Sequence, residues 1–275
     1  MKFQFPVDLN VFSPLSLRRP VDFLDSVRTY CQCLPVIMPE KWGWWEPLDR
    51  KFDLVEFERL MAVMGQCDTV YWKHSKKPKA EGAFSVRWNS KSPRLRDTHS
   101  KINLTVEHGS IPPADLVHWL QTAALRSKGH FAFMDAVTSS YREFAMASES
   151  SPYGDGFLLS THLLRHWLPD VFWATIFGPP YVRLFGKDRL LSAPVSVIKE
   201  LADEVIYLQL TDSFDDVFSD PSGLRTLRDD VKRHLGVDAF FNAERSYDRS
   251  TTGAVGKVFA VPDFELVADE IYIGR

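Results

Sequence analysis

Apolar residues recur along this chain with two periods, and the switches between them mark its elements. Met1 to Phe12 alternates loosely and reads as an edge strand. Pro20 opens a helix to about Cys33, with Phe23, Val27 and Tyr30 on one stripe. Pro35 to Pro47 reads as an irregular loop. Asp53 is placed to cap a second helix, Leu54 to Met64, and Gly65 to stop it. Three strands follow: Asp68 to His74, Gly82 to Asn89 and Lys101 to His108. In the last, Ile102, Leu104 and Val106 share one face, and Asn103 and Thr105 the other. Pro112-Pro113 begins a helix to about Arg126, with Leu116, Leu120 and Ala123 inward, and Phe131 to Met134 reads as a buried strand.

Serines, Pro152, Gly154 and Gly156 make residues 138–157 turn-rich, which predicts a connecting segment between an N-terminal module, 1–137, and a C-terminal module, 158–275. The second module opens with a helix by spacing, Leu158 to Trp167. Val171 to Ile176 is then β-rich, and Gly178-Pro179-Pro180 ends it and presets a helix, Tyr181 to Leu191. Val195 to Leu201 and Glu204 to Thr211 pair around Ala202-Asp203. Ser222 is expected to cap an amphipathic helix, Gly223 to Leu235, with Leu224, Leu227, Val231 and Leu235 inward; Lys257 to Val261 reads as a last strand. The pattern predicts an α+β fold. Two related β-α-β-β-α modules of ferredoxin-like flavour would form an antiparallel-rich sheet, covered on one side by helices.

Composition narrows this picture only modestly. The 275 residues are 45% hydrophobic and 25% charged, ordinary for a globular protein. Twenty Phe, eight Trp and eight Tyr predict aromatic-rich packing. Cys31, Cys33 and Cys67 make no disulfide framework and no zinc set, which fits a reducing cytoplasm. The first ten residues lack the apolar run of a signal peptide, and no stretch approaches the roughly 20 apolar residues of a membrane span. Charge is uneven: residues 1–110 hold 17 basic and 13 acidic residues, leaving 16 basic and 23 acidic beyond them. Two differently charged surfaces are expected.

Motifs for catalysis fail in turn. Gly186-Lys187 has Tyr181 where a phosphate loop needs glycine, and neither a Gly-x-Ser-x-Gly elbow nor a Gly-x-Gly-x-x-Gly turn occurs. His162 and His166 have helical zinc spacing, but Leu163, Leu164 and Arg165 between them supply no glutamate; no metal and no cofactor are expected. Lys73 to Lys101 is basic and interleaved with Trp72, Phe84 and Trp88, a combination that suits single-stranded nucleic acid. The slightly acidic chain argues instead for a solvated strand face.

Two segments are candidate partner-binding sites. In Asp212-Ser-Phe-Asp-Asp-Val-Phe-Ser-Asp220, carboxylates of Asp212, Asp215, Asp216 and Asp220 interleave with Phe214 and Phe218. Such a run is either a solvated turn, with Asp220 starting the next helix, or a docking surface of aromatic anchors within steering charge. Trp42, Trp44 and Trp45 fall in a Pro-bounded loop and form either a recognition surface or a lid over the core.

Phe172-Trp-Ala-Thr-Ile-Phe-Gly-Pro-Pro-Tyr-Val-Arg-Leu-Phe-Gly186, Leu190-Leu191-Ser-Ala-Pro194 and Val205-Ile-Tyr-Leu-Gln-Leu-Thr211 together resemble the C-terminal half of bacterial immunity proteins of the immunity protein 52 type. The likeness covers about residues 157–242 and, by element order, the N-terminal half. It implies a cytoplasmic, non-catalytic protein that binds and silences a cognate toxin of a polymorphic-toxin or type VI secretion system. No binding residue carries over. Were the toxin a basic nuclease, the four aspartates would mimic phosphates. Two rival readings stay open: an enzyme using His130, Asp135 or Tyr181 between the modules, and a nucleic-acid module on the basic region 73–101. Neither a membrane nor nucleic acid is the expected partner, and the sequence does not set an oligomeric state.

Overall fold

A computed structural model describes residues 3–87, 97–138, 161, 164 and 168–240. Its strands are β1 (Pro6–Ser13), β2 (Lys41–Gly43), β3 (Arg50–Lys51), β4 (Val70–His74), β5 (Ala80–Ser85), β6 (Ser100–Glu107), β7 (Phe131–Ala136), β8 (Ala174–Phe177), β9 (Val197–Ala202) and β10 (Val205–Gln209). Its helices are α1 (Pro20–Cys33), α2 (Leu54–Met64), α3 (Pro113–Arg126), α4 (Pro179–Phe185), α5 (Lys187–Leu191), α6 (Asp216–Ser219) and α7 (Pro221–Leu235). All ten strands join one antiparallel sheet in the order β3-β2-β4-β5-β6-β1-β7-β8-β10-β9, so the fold is α+β. The β7–β8 pairing, Phe131 opposite Phe177, carries the sheet from residues 6–136 into 174–209. Apart from Thr138, the connecting segment expected at 138–157 lies outside the described residues, as do Lys257 to Val261 and, Thr161 and Leu164 aside, the helix expected at 158–167 with His162 and His166.

Helices flank both faces of this sheet, not one. On one side α1 and α3 bury Phe23, Tyr30 and Trp119 against Phe84 and Trp72, with Tyr30 4.6 Å from the Trp72 ring. On the other, Tyr181 of α4 lies 5.9 Å from Phe131, and Phe131 lies 5.9 Å from both Phe12 and Phe177. Pleating explains the division, since Phe12 and Phe131 sit on the face opposite Val11 and Ala132.

The N-terminal strand is not at an edge. β1 is central, hydrogen-bonded to β6 on one side and β7 on the other, and all eight of its residues are buried. Asp8 and Asn10 give its sequence a half-exposed look, but they partner each other within the structure. Asn10 Nδ2 donates to Asp8 Oδ2 at 2.7 Å, and Thr105 Oγ1 donates to Asp8 Oδ1 at 3.2 Å. Buried polar groups persist when they are bonded in this way.

Helix boundaries follow their caps. Asp53 accepts from Glu56 N–H at 3.1 Å, and Gly65 closes α2 at φ 73°. The helix expected at 181–191 is two helices, because Gly186 at φ 86° and ψ 132° turns the chain between them. Glu204, at φ 55°, rather than Ala202, sits in the β9–β10 turn. Asp220, not Ser222, caps α7: its Oδ1 accepts from Gly223 N–H at 2.9 Å, and Ser222 Oγ donates to the same oxygen. Asp220→Ala is therefore expected to cost about 1 kcal/mol and Asp220→Asn much less, measured as shifts in the urea midpoint.

Candidate partner-binding surface

The acidic segment folds into one helical turn that sorts its side chains. Phe214 and Val217, three residues apart, point inward at 3% exposure each, while Asp212, Asp215, Phe218 and Asp220 face solvent and Asp216 is half-buried. Phe214 therefore supports this surface from below, with its ring 4.9 Å from Trp173.

Two residues that sequence reasoning missed complete the surface. His108, just after β6, donates from Nε2 to Asp215 Oδ1 at 3.0 Å, and its ring lies 4.4 Å from Phe218. Phe5, 51% exposed, stands 6.0 Å from Phe218, itself 37% exposed. The Glu107 carboxylate fixes this corner by accepting from Phe5 N–H at 2.7 Å and Gln4 N–H at 2.9 Å. Residues about 100 positions apart thus meet only through the β1–β6 register, which pairs Pro6 with Glu107. No local spacing announces that contact. A groove of about 420 Å³ opens alongside, lined by Val117, His118, Trp173, Lys199, Asp212 and Phe214.

The tryptophan loop lies elsewhere. Trp42 is in β2, buried against Phe57 at 4.8 Å, so it takes no part in an exposed surface. Trp44 is half-buried, and the Arg50 guanidinium stands 4.2 Å from its ring centre and 5.1 Å from that of Trp42. Trp45 is 73% exposed. Register sets Gly43 level with Tyr71, Ala83 and Asn103, so Trp44 and Trp45 follow β2 away from the Glu107 end of β6, beside which the acidic segment lies, and the two predicted segments do not meet.

His130, Asp135 and Tyr181 do not converge either. His130 precedes β7 and Asp135 is the strand's fifth residue, five positions on and roughly 17 Å away in extended chain. His130 Nδ1 is 3.0 Å from His99 Nε2, and burial, with Arg183 nearby, pushes its pKa down to about 4. His99 continues to Thr98 Oγ1 at 2.7 Å, whose hydroxyl donates to Thr161 O. Asp135, 1% exposed, accepts from Arg228 Nη2 at 2.5 Å and from the N–H groups of Ala136 at 2.8 Å and Trp173 at 3.1 Å. Burial raises its pKa against the opposing pull of Arg228 and both amides. Tyr181 is buried, and burial raises its phenol too. Desolvation, not a cleft, perturbs all three. Among the described residues no three His, Cys, Asp or Glu side chains are grouped as metal ligands, and no helix is long and apolar enough to cross a membrane.

Comparison with protein-family models and with curated protein sequences returns no match. Among solved structures, the fold is similar to that of the Pseudomonas aeruginosa T6SS protein PA0821. The TM-score is 0.51 at 12% identity, over 82% of this chain and 76% of that one. At that identity the likeness is one of fold.

Proposed function

We propose that this chain is an immunity protein of the immunity protein 52 type, which binds a cognate secreted bacterial toxin in the cytoplasm and covers its active site or substrate groove. The observation that carries the reading is the solvent-facing surface of Phe5, Phe218, His108 and the aspartates of 212–220. Exposed aromatics ringed by charge form a surface for protein recognition: the rings supply buried area on contact, and the carboxylates speed encounter with a basic partner. A shared fold with a type VI secretion protein supports the secretion setting. The reading assigns the chain no reaction and no cofactor. A toxin with a cation-lined substrate groove, such as a nuclease, is the partner these carboxylates fit best.

The test is co-expression with the toxin encoded beside this chain, followed by size exclusion. Protection from growth arrest and a stable complex are expected; arrest with no complex would end the proposal. Within a complex, Phe218→Ala should weaken binding about 10- to 30-fold, mainly through faster dissociation. Changing Asp212, Asp215, Asp216 and Asp220 to Asn should slow association and flatten its salt dependence. Unchanged kinetics in both variants would move the interface to another face.

A further inference from the structure

The β3-β2-β4 end of the sheet carries a charge pattern that the toxin-facing surface does not use. Register sets Lys41 of β2 directly opposite Lys51 of β3 and Lys73 of β4, a row of three lysines across three strands about 5 Å apart. Like charges at opposed positions repel. Lys41 and Lys51 are exposed and Lys73 half-buried. Glu81, opposite Lys73 on β5, is the acidic neighbour in the row, while Glu40 is engaged by Lys76 at 3.3 Å and by Ser75 N–H. Two residues from Lys73, on the same face of β4, Tyr71 is 42% exposed. Its register neighbours are Gly43 and Ala83, so no bulky side chain stands directly across from it on either strand. Strand rise sets this ring about 7 Å from the lysine row, comparable to the reach from a backbone phosphate to its base.

We propose that this face binds single-stranded nucleic acid laid across the strands, with phosphates on Lys51, Lys41 and Lys73 and a base stacked on Tyr71. The lysines alone would serve any polyanion. The open ring beside them is what favours nucleotides over an acidic polypeptide, since stacking on an exposed aromatic is how sheet faces hold unpaired bases. Of these residues only Lys73 belongs to the basic region that sequence reasoning singled out, and the aromatics expected there do not serve. Trp72 and Phe84 are buried at 2%, Arg87 is buried, and Trp88 lies outside the described residues. The proposal is independent of the toxin reading.

Fluorescence anisotropy of the full chain against a labelled oligothymidine of about 20 nucleotides tests it, at 50 and 200 mM salt. Binding near 10⁻⁵ M at low salt is expected, on the order of sequence-independent binding. The triple variant Lys41→Gln, Lys51→Gln, Lys73→Gln should bind at least tenfold more weakly and lower the log–log salt slope by about 2, roughly 0.7 per lost phosphate contact. Tyr71→Ala should weaken binding roughly 5- to 100-fold with the slope unchanged, and Tyr71→Phe should retain it. All four side chains project from the sheet surface, and circular dichroism checks that each variant keeps the fold. No binding at 50 mM, or variants that bind as the parent does, would overturn the proposal. So would displacement by a polyglutamate peptide of equal charge, which would identify an acidic-polypeptide surface.

Discussion

Arg228→Ala is expected to destabilise the protein by about 3–5 kcal/mol, because it strands the Asp135 carboxylate in the sheet. That carboxylate is almost fully buried, and the guanidinium of α7 is its charged partner, 2.5 Å away. Two backbone amides remain after the substitution, and they do not replace a full positive charge. Asp135 must then be buried charged or take up a proton. A carboxyl whose folded pKa lies above its unfolded value is most favourable to folding below that unfolded value, and its contribution is lost as pH rises. The defect should therefore be larger at pH 7 than at pH 5 when read from urea unfolding. Asp135→Leu combined with Arg228→Met should recover most of the loss, since an apolar pair of similar size leaves no charge to solvate. A cost below about 1 kcal/mol for Arg228→Ala would show that the ion pair does not fasten α7 to the sheet.

Acid is expected to unfold the protein early through His130. In the hydrogen bond between His99 and His130 one ring nitrogen donates and the other accepts, so the pair cannot hold two fully protonated rings. With the folded pKa of His130 near 4 and an unfolded value near 6.5, the unfolded chain binds the extra proton between those limits. Its contribution is complete above pH 6.5 and is lost as pH falls toward 4, about 3 kcal/mol in all. Urea midpoints measured from pH 7.5 to 4.5 should show this fall. In His130→Gln, which keeps a hydrogen-bonding side chain and does not titrate, that part of the slope should vanish. An identical acid limb in the variant would assign the loss to other groups.

Where capping and periodicity act alone, the sequence was legible. α1, α2 and α3 lie where Pro20, Asp53 and Pro112-Pro113 place them, and the inward stripes of Phe23, Val27 and Tyr30 and of Leu116, Leu120 and Ala123 are buried. Long-range pairing was not legible. Asp8 and Asn10 suggest an exposed strand face until Thr105 arrives from β6, and Trp42 suggests a loop until Trp72 opposes it across β4. The same limit applied to the candidate surface. The spacing of Asp212 to Asp220 pointed to a charged, aromatic segment, but nothing local distinguishes buried Phe214 from exposed Phe218. His108 and Phe5 join it only through pairings that span the chain.

The central place of β1 has a consequence for biosynthesis. Its two hydrogen-bonding neighbours begin at Ser100 and Phe131, so the strand leaves the ribosome with both of its edges open. At about 5–20 residues per second, roughly 100 further residues take some 5–20 s to emerge. For that interval Val7, Leu9 and Val11 form a sticky nascent segment in need of shielding, and the chain gains its middle only after its first half has been translated.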